Sequence, residues 1–218
     1  MRFQDGRARR KERARRLVAA YDLHALAAWS ASEPLVAADV QRLLFEEDPL
    51  LRWRAVEAFG RVAAVLARDA LEPAQELVRR ILWLMNDESG GALLAGPEAF
   101  GAVLASVPAL APELAPVLAS FLDEEPFRAG TRWALWRVGR CAPGVVRSAG
   151  PALRASLDDA DPQVRGHTVL ALRAGGEEVP EAALDAVAFA AFDPRNGQLR
   201  ETTVAEAARA GWALSPER

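Results

Sequence analysis

The stretch DPLLRWRAVEAFG, residues 48–60, contains the pattern that decides the fold. Asp48 is a residue type that caps helix N-termini, and Pro49 suits the first helical turn, where a missing N–H leaves no bond unmade. Ala55 and Ala58 are small enough to let a neighbouring helix approach closely, and Gly60 has no side chain at all. The stretch therefore predicts a closely packed helix that begins at a sharp Asp-Pro turn.

Related stretches occur further along the chain. DPQVRGHTVLALR, residues 161–173, matches the same pattern almost throughout, and PEAFG at 97–101 echoes VEAFG at 56–60. After Pro126 come WAL at 133–135 and VG at 138–139. Glycines at 60, 101 and 139 should relieve crowding between successive layers of helices.

A second series of positions alternates with the first. Pro34, Pro73, Pro112 and Pro151 lie near the starts of apolar-periodic segments, at equal steps along the chain. We expect each to open a helix, with Ser32 as a cap for the first. The two series together predict tandem pairs of helices A and B, joined by a tight turn and sharing one elongated core.

This pattern resembles HEAT repeats, including the short bacterial HEAT-like repeats of phycobilisome-lyase-type proteins. The resemblance covers roughly residues 32–175. It implies an all-α fold, an α-α superhelix of the HEAT or armadillo-like solenoid class, in which B helices make most of a concave surface. Such a fold hosts many functions, so it does not by itself specify an activity.

The whole chain is expected to form one repeat domain. Residues 1–31 form an N-terminal helical cap, 32–175 about four repeats and 176–218 a C-terminal cap. Asn196-Gly197, between Phe192 and Leu199, is either a two-residue turn of a short β-hairpin at 190–201 or an ordinary loop. Thr203 to Glu206 form a capping box for a last helix. The expected helices are 6–20, 23–31, 34–46, 50–67, 73–85, 97–107, 112–122, 127–140, 151–158, 162–174, 180–190 and 204–213.

Composition excludes several classes of protein. Cys141 is the only cysteine, and His24 and His167 are the only histidines, so neither a disulfide framework nor a zinc site is expected. A magnesium or calcium site made of carboxylates alone stays open. No apolar run suits a membrane helix and no secretory signal precedes the first helix, so we expect a cytoplasmic protein without cofactor or metal.

The positive charge is concentrated at the N-terminus. The net charge of the whole chain is −3, but residues 1–16 hold eight cationic side chains against two acidic ones. This segment could contact nucleic acid or another anionic surface, although a charge run is more often a solvated helix face. The remainder of the chain is acidic, which disfavours phosphate binding.

Two features could bind a partner. The first is the polar, glycine-rich loop at 86–96, whose backbone could bind an anion, unless it is only a lengthened turn. The second is a group of tryptophans and arginines near the inter-helix turns, typical of protein-binding hot spots or base stacking. At least two of the four tryptophans should instead fill the core. The candidate partner-binding residues are Trp53, Arg54, Trp83, Asn86, Asp87, Glu88, Ser89, Arg128, Trp133 and Trp136.

The favoured function is a non-catalytic scaffold that binds a partner protein through its inner face, lined by Arg54, Glu57, Arg61 and Trp133. No catalytic residue is expected. Both histidines are expected to be hydrogen-bonded or exposed rather than catalytic. Arg52 and Arg165 are interpreted as structural, because they occupy the repeat position that usually pairs with a turn aspartate of a neighbouring layer.

One alternative is nucleic-acid binding or an enzyme like the HEAT-like DNA-alkylation-repair glycosylases, with Asp87 or Glu88 as the acid beside Trp83 and Trp133. A lyase-like role is suggested by analogy with the short repeats alone.

Overall fold

The computed structural model describes residues 2–86 and 93–209, with side chains from Gly6 onward. Over these ranges the protein is mostly helical, with one small antiparallel sheet. The helices are α1 Arg2–Ala19, α2 Leu23–Ser30, α3 Val36–Leu43, α4 Pro49–Leu66, α5 Glu72–Met85, α6 Gly96–Ser106, α7 Ala111–Ala119, α8 Arg128–Gly139, α9 Pro143–Ala155, α10 Pro162–Ala174 and α11 Val204–Arg209, and the strands are β1 Ala188–Asp193 and β2 Gln198–Thr203.

Two rows of helices organise the middle of the chain. In the central row α4, α6, α8 and α10 pack side by side in chain order. In the flanking row α5, α7 and α9 each contact the central helix before and the central helix after them, and α3 packs against α4. The central helices are buried along most of their length, as the uninterrupted run of buried residues from Gly130 to Gly139 shows. The hydrophobic core is therefore continuous from α1 to the hairpin.

The Asp-Pro turns open two of the central helices as predicted. The Asp48 carboxylate accepts hydrogen bonds from the backbone N–H groups of Leu50 and Leu51, and the Asp161 carboxylate accepts one from Gln163. Each carboxylate satisfies donors that would otherwise have no intrahelical partner.

The proline series is only partly right. Pro73 and Pro112 lie in the first turns of α5 and α7. Pro151 was expected to start a helix but lies inside α9, which begins at Pro143 instead. Ser32 caps no helix, because its hydroxyl donates backwards to the Trp29 carbonyl. The series therefore gave the starts of α5 and α7 to within one residue, whereas α3 begins two residues after Pro34.

Glycines set the spacing of the central row. A Cβ placed on Gly60 would lie 2.6 Å from the Ala102 carbonyl oxygen, and one on Gly101 would lie 2.6 Å from the Ala134 Cα. A Cβ on Gly139 would meet Ala174 at 2.9 Å. All three distances are too short for a methyl group. Gly60 and Gly101 thus pack directly against the backbone of the next central helix, whereas Gly139 packs against the Ala174 side chain.

The C-terminal hairpin is confirmed, and its turn differs from the prediction. β1 and β2 pair antiparallel with Phe192 opposite Leu199, and Asp193 opposite Gln198 closes the ladder. The turn therefore has four residues rather than two, and Gly197 adopts a φ of 67° within it. The helix expected at 180–190 is wrong, because β1 begins at Ala188.

The predicted capping box follows the hairpin. The Thr203 hydroxyl accepts from the Glu206 N–H, and the Glu206 carboxylate accepts from the Thr203 N–H, both at 3.1 Å. This reciprocal pair starts α11 where the sequence placed it.

No single helix within residues 2–86 and 93–209 is both long and apolar enough to cross a membrane. One pair, Gly96–Ser106 with Pro108–Ala119, reaches that length and composition jointly but is bent by 109°.

Candidate functional site

A cavity of about 550 Å³ lies at the N-terminal ends of the central helices. This volume is in the range of pockets that bind small molecules or inserted side chains. The end of α3 and the hairpin supply the remaining walls. The lining residues are Leu44, Phe45, Glu46, Pro49, Arg52, Trp53, Val56, Leu94, Ala95, Glu98, Ala129, Gly130, Gln163, His167, Ala190 and Leu199.

Glu98 is one of two acidic residues in the described lining of this cavity, and Glu46 is the other. Glu98 belongs to the first turn of α6, and its carboxyl group lies against Gly130 of α8, where a Cβ would overlap both oxygens. Its Oε2 atom is buried without a hydrogen-bond partner. Burial raises the pKa of Glu98 to about 7, and the nearby Arg52 guanidinium and a backbone hydrogen bond oppose that rise only in part. Glu98 is therefore poised between its neutral and ionised forms near neutral pH.

His167 lies on the α10 wall and is satisfied by hydrogen bonds. Its Nδ1 lies 2.9 Å from the Ala129 carbonyl oxygen, and its Nε2 lies 2.9 Å from the Gln163 amide nitrogen. With Nδ1 protonated, the ring donates to Ala129 and accepts from Gln163. Burial lowers the pKa of His167 to about 4, so the ring is neutral at physiological pH. These contacts match the expectation of a hydrogen-bonded His167.

Gln163 connects α10 to the hairpin. Its amide nitrogen donates to the Ala190 carbonyl at 2.5 Å, and its amide oxygen accepts from the Ala190 N–H at 3.2 Å. The Gln163 side chain thus makes the same pair of hydrogen bonds to the β1 backbone that a neighbouring strand would make. The amide groups of Gln163 already have hydrogen-bond partners within the protein, and these bonds hold the cavity wall in place.

The hairpin crosses from the last central helix to the first. Phe192 stacks on Trp53 of α4, with ring centroids 5.3 Å apart and an interplanar angle of 11°. Arg54 donates to the Gly197 carbonyl at 2.8 Å, and the Tyr21 hydroxyl donates to the Pro194 carbonyl at 2.5 Å. The hairpin therefore lies against Trp53 and Arg54 of α4, which the sequence suggested were open to a partner.

The predicted tryptophans have three different environments. Trp133 and Trp136 of α8 are completely buried, so neither can contact a partner in this structure. Trp53 is partly buried, packs edge-on against Trp133 at 4.8 Å and lines the cavity. Trp83 is 71% exposed at the end of α5. The expectation that at least two would fill the core is confirmed by the α8 pair, and their assignment as binding residues is corrected.

The other candidates mostly have structural roles. Arg128 pairs with Glu125 and Asp159, which joins the start of α8 to the turn before α10. Arg54 holds the hairpin, and Glu57 is buried, so neither presents an open inner face. Asn86 is exposed and donates to the Leu82 carbonyl. Asp87, Glu88 and Ser89 lie outside the described residues, together with most of the 86–96 loop.

Arg52 and Arg165 have structural contacts, as expected. Each donates to a backbone carbonyl six positions earlier, Arg52 to Glu46 and Arg165 to Asp159, and so fastens the turn before its own helix. Arg165 also pairs with Asp185 at 3.2 Å. Arg52 has a carbonyl rather than a turn aspartate as its hydrogen-bond partner, and it also faces the cavity.

The basic N-terminal helix packs against its neighbours. Arg10 pairs with the buried Asp39 at 2.5 Å, Arg15 pairs with Glu46, and Arg13 lies 4.2 Å from the Trp29 ring centroid. These contacts neutralise part of the positive charge that the sequence suggested could contact an anionic surface.

The cavity has few groups suited to chemistry. Among the residues that the structure describes, its lining includes no serine, threonine, cysteine, tyrosine or lysine. Within residues 2–86 and 93–209, no group of three or more His, Cys, Asp or Glu side chains could hold a metal ion. What the site offers is an apolar pocket with one carboxyl group that has an unpartnered oxygen.

Sequence reasoning missed Glu98, although a signal was present. PEAFG at 97–101 echoes VEAFG at 56–60, which places Glu98 at the repeat position of Glu57. Both glutamates interrupt apolar, closely packed helices. A charge at such a position must find a partner or shift its pKa. Glu57 pairs with Arg137 at 2.9 Å, and Glu98 instead has a raised pKa.

Comparison with known proteins gives little functional guidance. No protein-family model matches the chain, and no solved structure matches it. A protein of Archaeoglobus fulgidus, described only as an uncharacterized protein, is 25% identical over 154 residues, covering 68% of this chain and 79% of that protein.

Proposed function

We propose that the protein is a HEAT-like α-solenoid that acts as a non-catalytic scaffold and binds a partner protein at the Glu98 cavity. The single observation that carries this proposal is the cavity itself, an apolar pocket of about 550 Å³ with exposed hydrophobic side chains at its rim.

The assignment to HEAT-like repeats is supported by the two rows of helices. Each flanking helix and the central helix after it form one pair, and successive pairs stack through the glycines at 60, 101 and 139. Asp-Pro caps begin the first and last central helices at equivalent positions. Such an array shares one core between neighbours and presents helix ends along a common surface.

Binding at the cavity is supported by its rim. Phe45 is 48% exposed and Leu94 is 62% exposed, and both line the opening. Two large hydrophobic side chains beside a pocket are typical of a protein-binding surface, since burying them removes apolar area from water. A partner segment that covers this rim would also reach Trp53 on the inner wall.

A non-catalytic role is supported by the state of the polar groups. Both nitrogens of His167 are occupied, and so are the donors and the acceptor of Gln163 that face β1. A general acid or base must lie within hydrogen-bond reach of the proton that it transfers, so these occupied groups are not available for proton transfer to a bound molecule.

Site-specific photocrosslinking tests this function. A photoreactive phenylalanine analogue is placed at Leu94, and in a second protein at Val117, which is 39% exposed on α7 and does not line the cavity. We expect a discrete protein adduct in host lysate from position 94 and none from position 117. Equal yields of protein adduct from positions 94 and 117 would contradict the proposal. Nucleic-acid adducts at position 94 would favour the nucleic-acid alternative.

A further inference from the structure

The charged side chains around the cavity are already paired, with one exception. Glu46 pairs with Arg15, and Arg52 donates to the Glu46 backbone carbonyl. His167 is neutral and hydrogen-bonded on both sides. Glu98 alone has an unpartnered buried oxygen among these lining residues. A ligand that brings a hydrogen-bond donor would therefore be bound most favourably at Glu98.

The remaining walls of the cavity are apolar, and they restrict which chemical group can carry a hydrogen-bond donor to Glu98. Leu44, Val56, Ala95 and Ala129 surround the approach to Glu98, together with the indole of Trp53. A strongly hydrated ion without an apolar stem would lose water here and gain no packing in return. An occupant that fits has a flexible apolar stem ending in a cationic donor.

We propose that the cavity receives a lysine side chain of the partner protein, whose ammonium group pairs with Glu98 while its methylene stem lies along the apolar walls. This inference rests on the proposed scaffold function and specifies the partner's contact residue. The rigid guanidinium fork of arginine is matched by two acceptor oxygens in one plane, whereas the compact lysine ammonium turns on a flexible stem and can pair with a single oxygen. Lysine therefore fits better, since Oε2 is the oxygen of Glu98 that is buried without a partner.

Three capped amino acids test the inference on the full chain. The probes are N-acetyl-lysine methylamide, its norleucine analogue without the ammonium group, and its arginine analogue. Dissociation constants are measured at pH 8 from the NMR shift of the Trp53 indole N–H, assigned by its loss in Trp53→Phe. We expect lysine to bind about tenfold more tightly than norleucine, as for one charge-assisted hydrogen bond.

Two variants test whether Glu98 is the residue that distinguishes the lysine probe from the norleucine probe. Glu98→Gln keeps the size of the side chain and removes its charge, and should make the lysine and norleucine probes bind equally. Glu46→Gln changes the other cavity carboxylate and should keep the preference for lysine. At pH 5.5, where Glu98 is protonated, the wild-type preference should also disappear, whereas neutral His167 does not change with its pKa of about 4.

Four results would overturn the inference. They are equal binding of lysine and norleucine in the wild type, a lysine preference that survives in Glu98→Gln, tighter binding of arginine than of lysine, and no binding of any probe. Norleucine binding without a lysine preference would leave the scaffold function intact, because that function is tested separately by the crosslinks from position 94.

Discussion

Arg137 of α8 and Glu57 of α4 form a buried ion pair at 2.9 Å, although 80 positions separate them along the chain. Their side chains are 4% and 6% exposed. We expect Glu57→Ala to lower the free energy of unfolding by about 3–5 kcal/mol, because it leaves the Arg137 charge buried without its carboxylate. Urea denaturation followed by circular dichroism measures this change.

The matched double variant separates the charge from the packing. Glu57→Leu combined with Arg137→Met removes both charges and keeps most of the volume, so it should come within about 1–2 kcal/mol of the wild type. A double variant as unstable as Glu57→Ala would show that the cost arises from lost packing instead.

The contact between α6 and α8 depends on the missing side chain of Gly101. A Cβ there would lie 2.6 Å from the Ala134 Cα, and this backbone cannot move aside as a flexible side chain could. We expect Gly101→Ala to destabilise the fold by about 1–3 kcal/mol through overpacking. Thermal and urea unfolding both measure this cost.

Gly144 provides the control in the exposed first turn of α9. A Cβ there meets nothing closer than the flexible end of Arg147 at 3.8 Å. Gly144→Ala should therefore stabilise the protein slightly, by up to about 1 kcal/mol, because alanine favours the helix. Equal destabilisation by both substitutions would contradict the packing argument.

The hairpin is fixed to α4 by the stacking of Phe192 on Trp53. Phe192 is fully buried, so Phe192→Ala should cost about 3–5 kcal/mol and speed hydrogen exchange in β1 and β2. Val187→Ala, at a residue 43% exposed just before β1, is the control and should change neither quantity measurably. Unchanged hairpin exchange in Phe192→Ala would mean that other contacts hold the strands.

Local signals in the sequence predicted local structure well. The caps at Asp48 and Asp161 and the Thr203–Glu206 box each depend on residues close in the chain. The β-hairpin was also visible as two apolar residues flanking Asn196-Gly197, although its turn is longer.

Contacts between distant segments could not be predicted in the same way. Whether Trp133 faces outward depends on which helices surround α8, and nothing in its immediate sequence determines that. Coverage of Trp53 depends on Phe192 reaching it from more than a hundred positions away. The Glu98 cavity arises from this closure, since Ala190 and Leu199 of the hairpin form part of its wall.

His167 should make the folded state sensitive to acid. Burial lowers its pKa from 6.5 to about 4, so the unfolded chain binds the proton more readily between these values. The stabilising contribution of the neutral ring is complete above about pH 6.5 and is lost as the pH falls toward 4, by up to about 3 kcal/mol. Unfolding free energies of the wild type and His167→Gln at pH 7 and pH 4.5 measure this difference.

The exposed His24 on α2 provides the comparison. His24→Gln should keep the wild-type dependence on pH. In His167→Gln the stability should instead fall more steeply as the pH rises from about 4.5 to 6.5, because the opposite contribution of Glu98 is no longer offset. The same dependence in His167→Gln and in the wild type would show that the titration of His167 is not coupled to folding.

Glu98 should change the free energy of unfolding with pH in the opposite direction to His167. Its pKa rises from 4.5 to about 7 on folding, so between these values the folded state binds more protons than the unfolded state. Stability therefore falls as the pH rises from about 4.5 to 7, by at most about 3 kcal/mol, and is constant above that range. Because His167 contributes with the opposite sign between pH 4.5 and 6.5, the wild-type profile is flatter than either contribution alone.

Glu98→Gln isolates the carboxyl contribution. The variant cannot ionise at this position, so its stability relative to the wild type should increase progressively from about pH 4.5 to 7, and the difference should be constant above that range. Glu201→Gln, an exposed change on β2, should run parallel to the wild type across the whole range. A constant difference between Glu98→Gln and the wild type would contradict a raised pKa. It would also remove the reason for treating the carboxyl group as the polar centre of the cavity, since an acid that ionises normally is already well solvated.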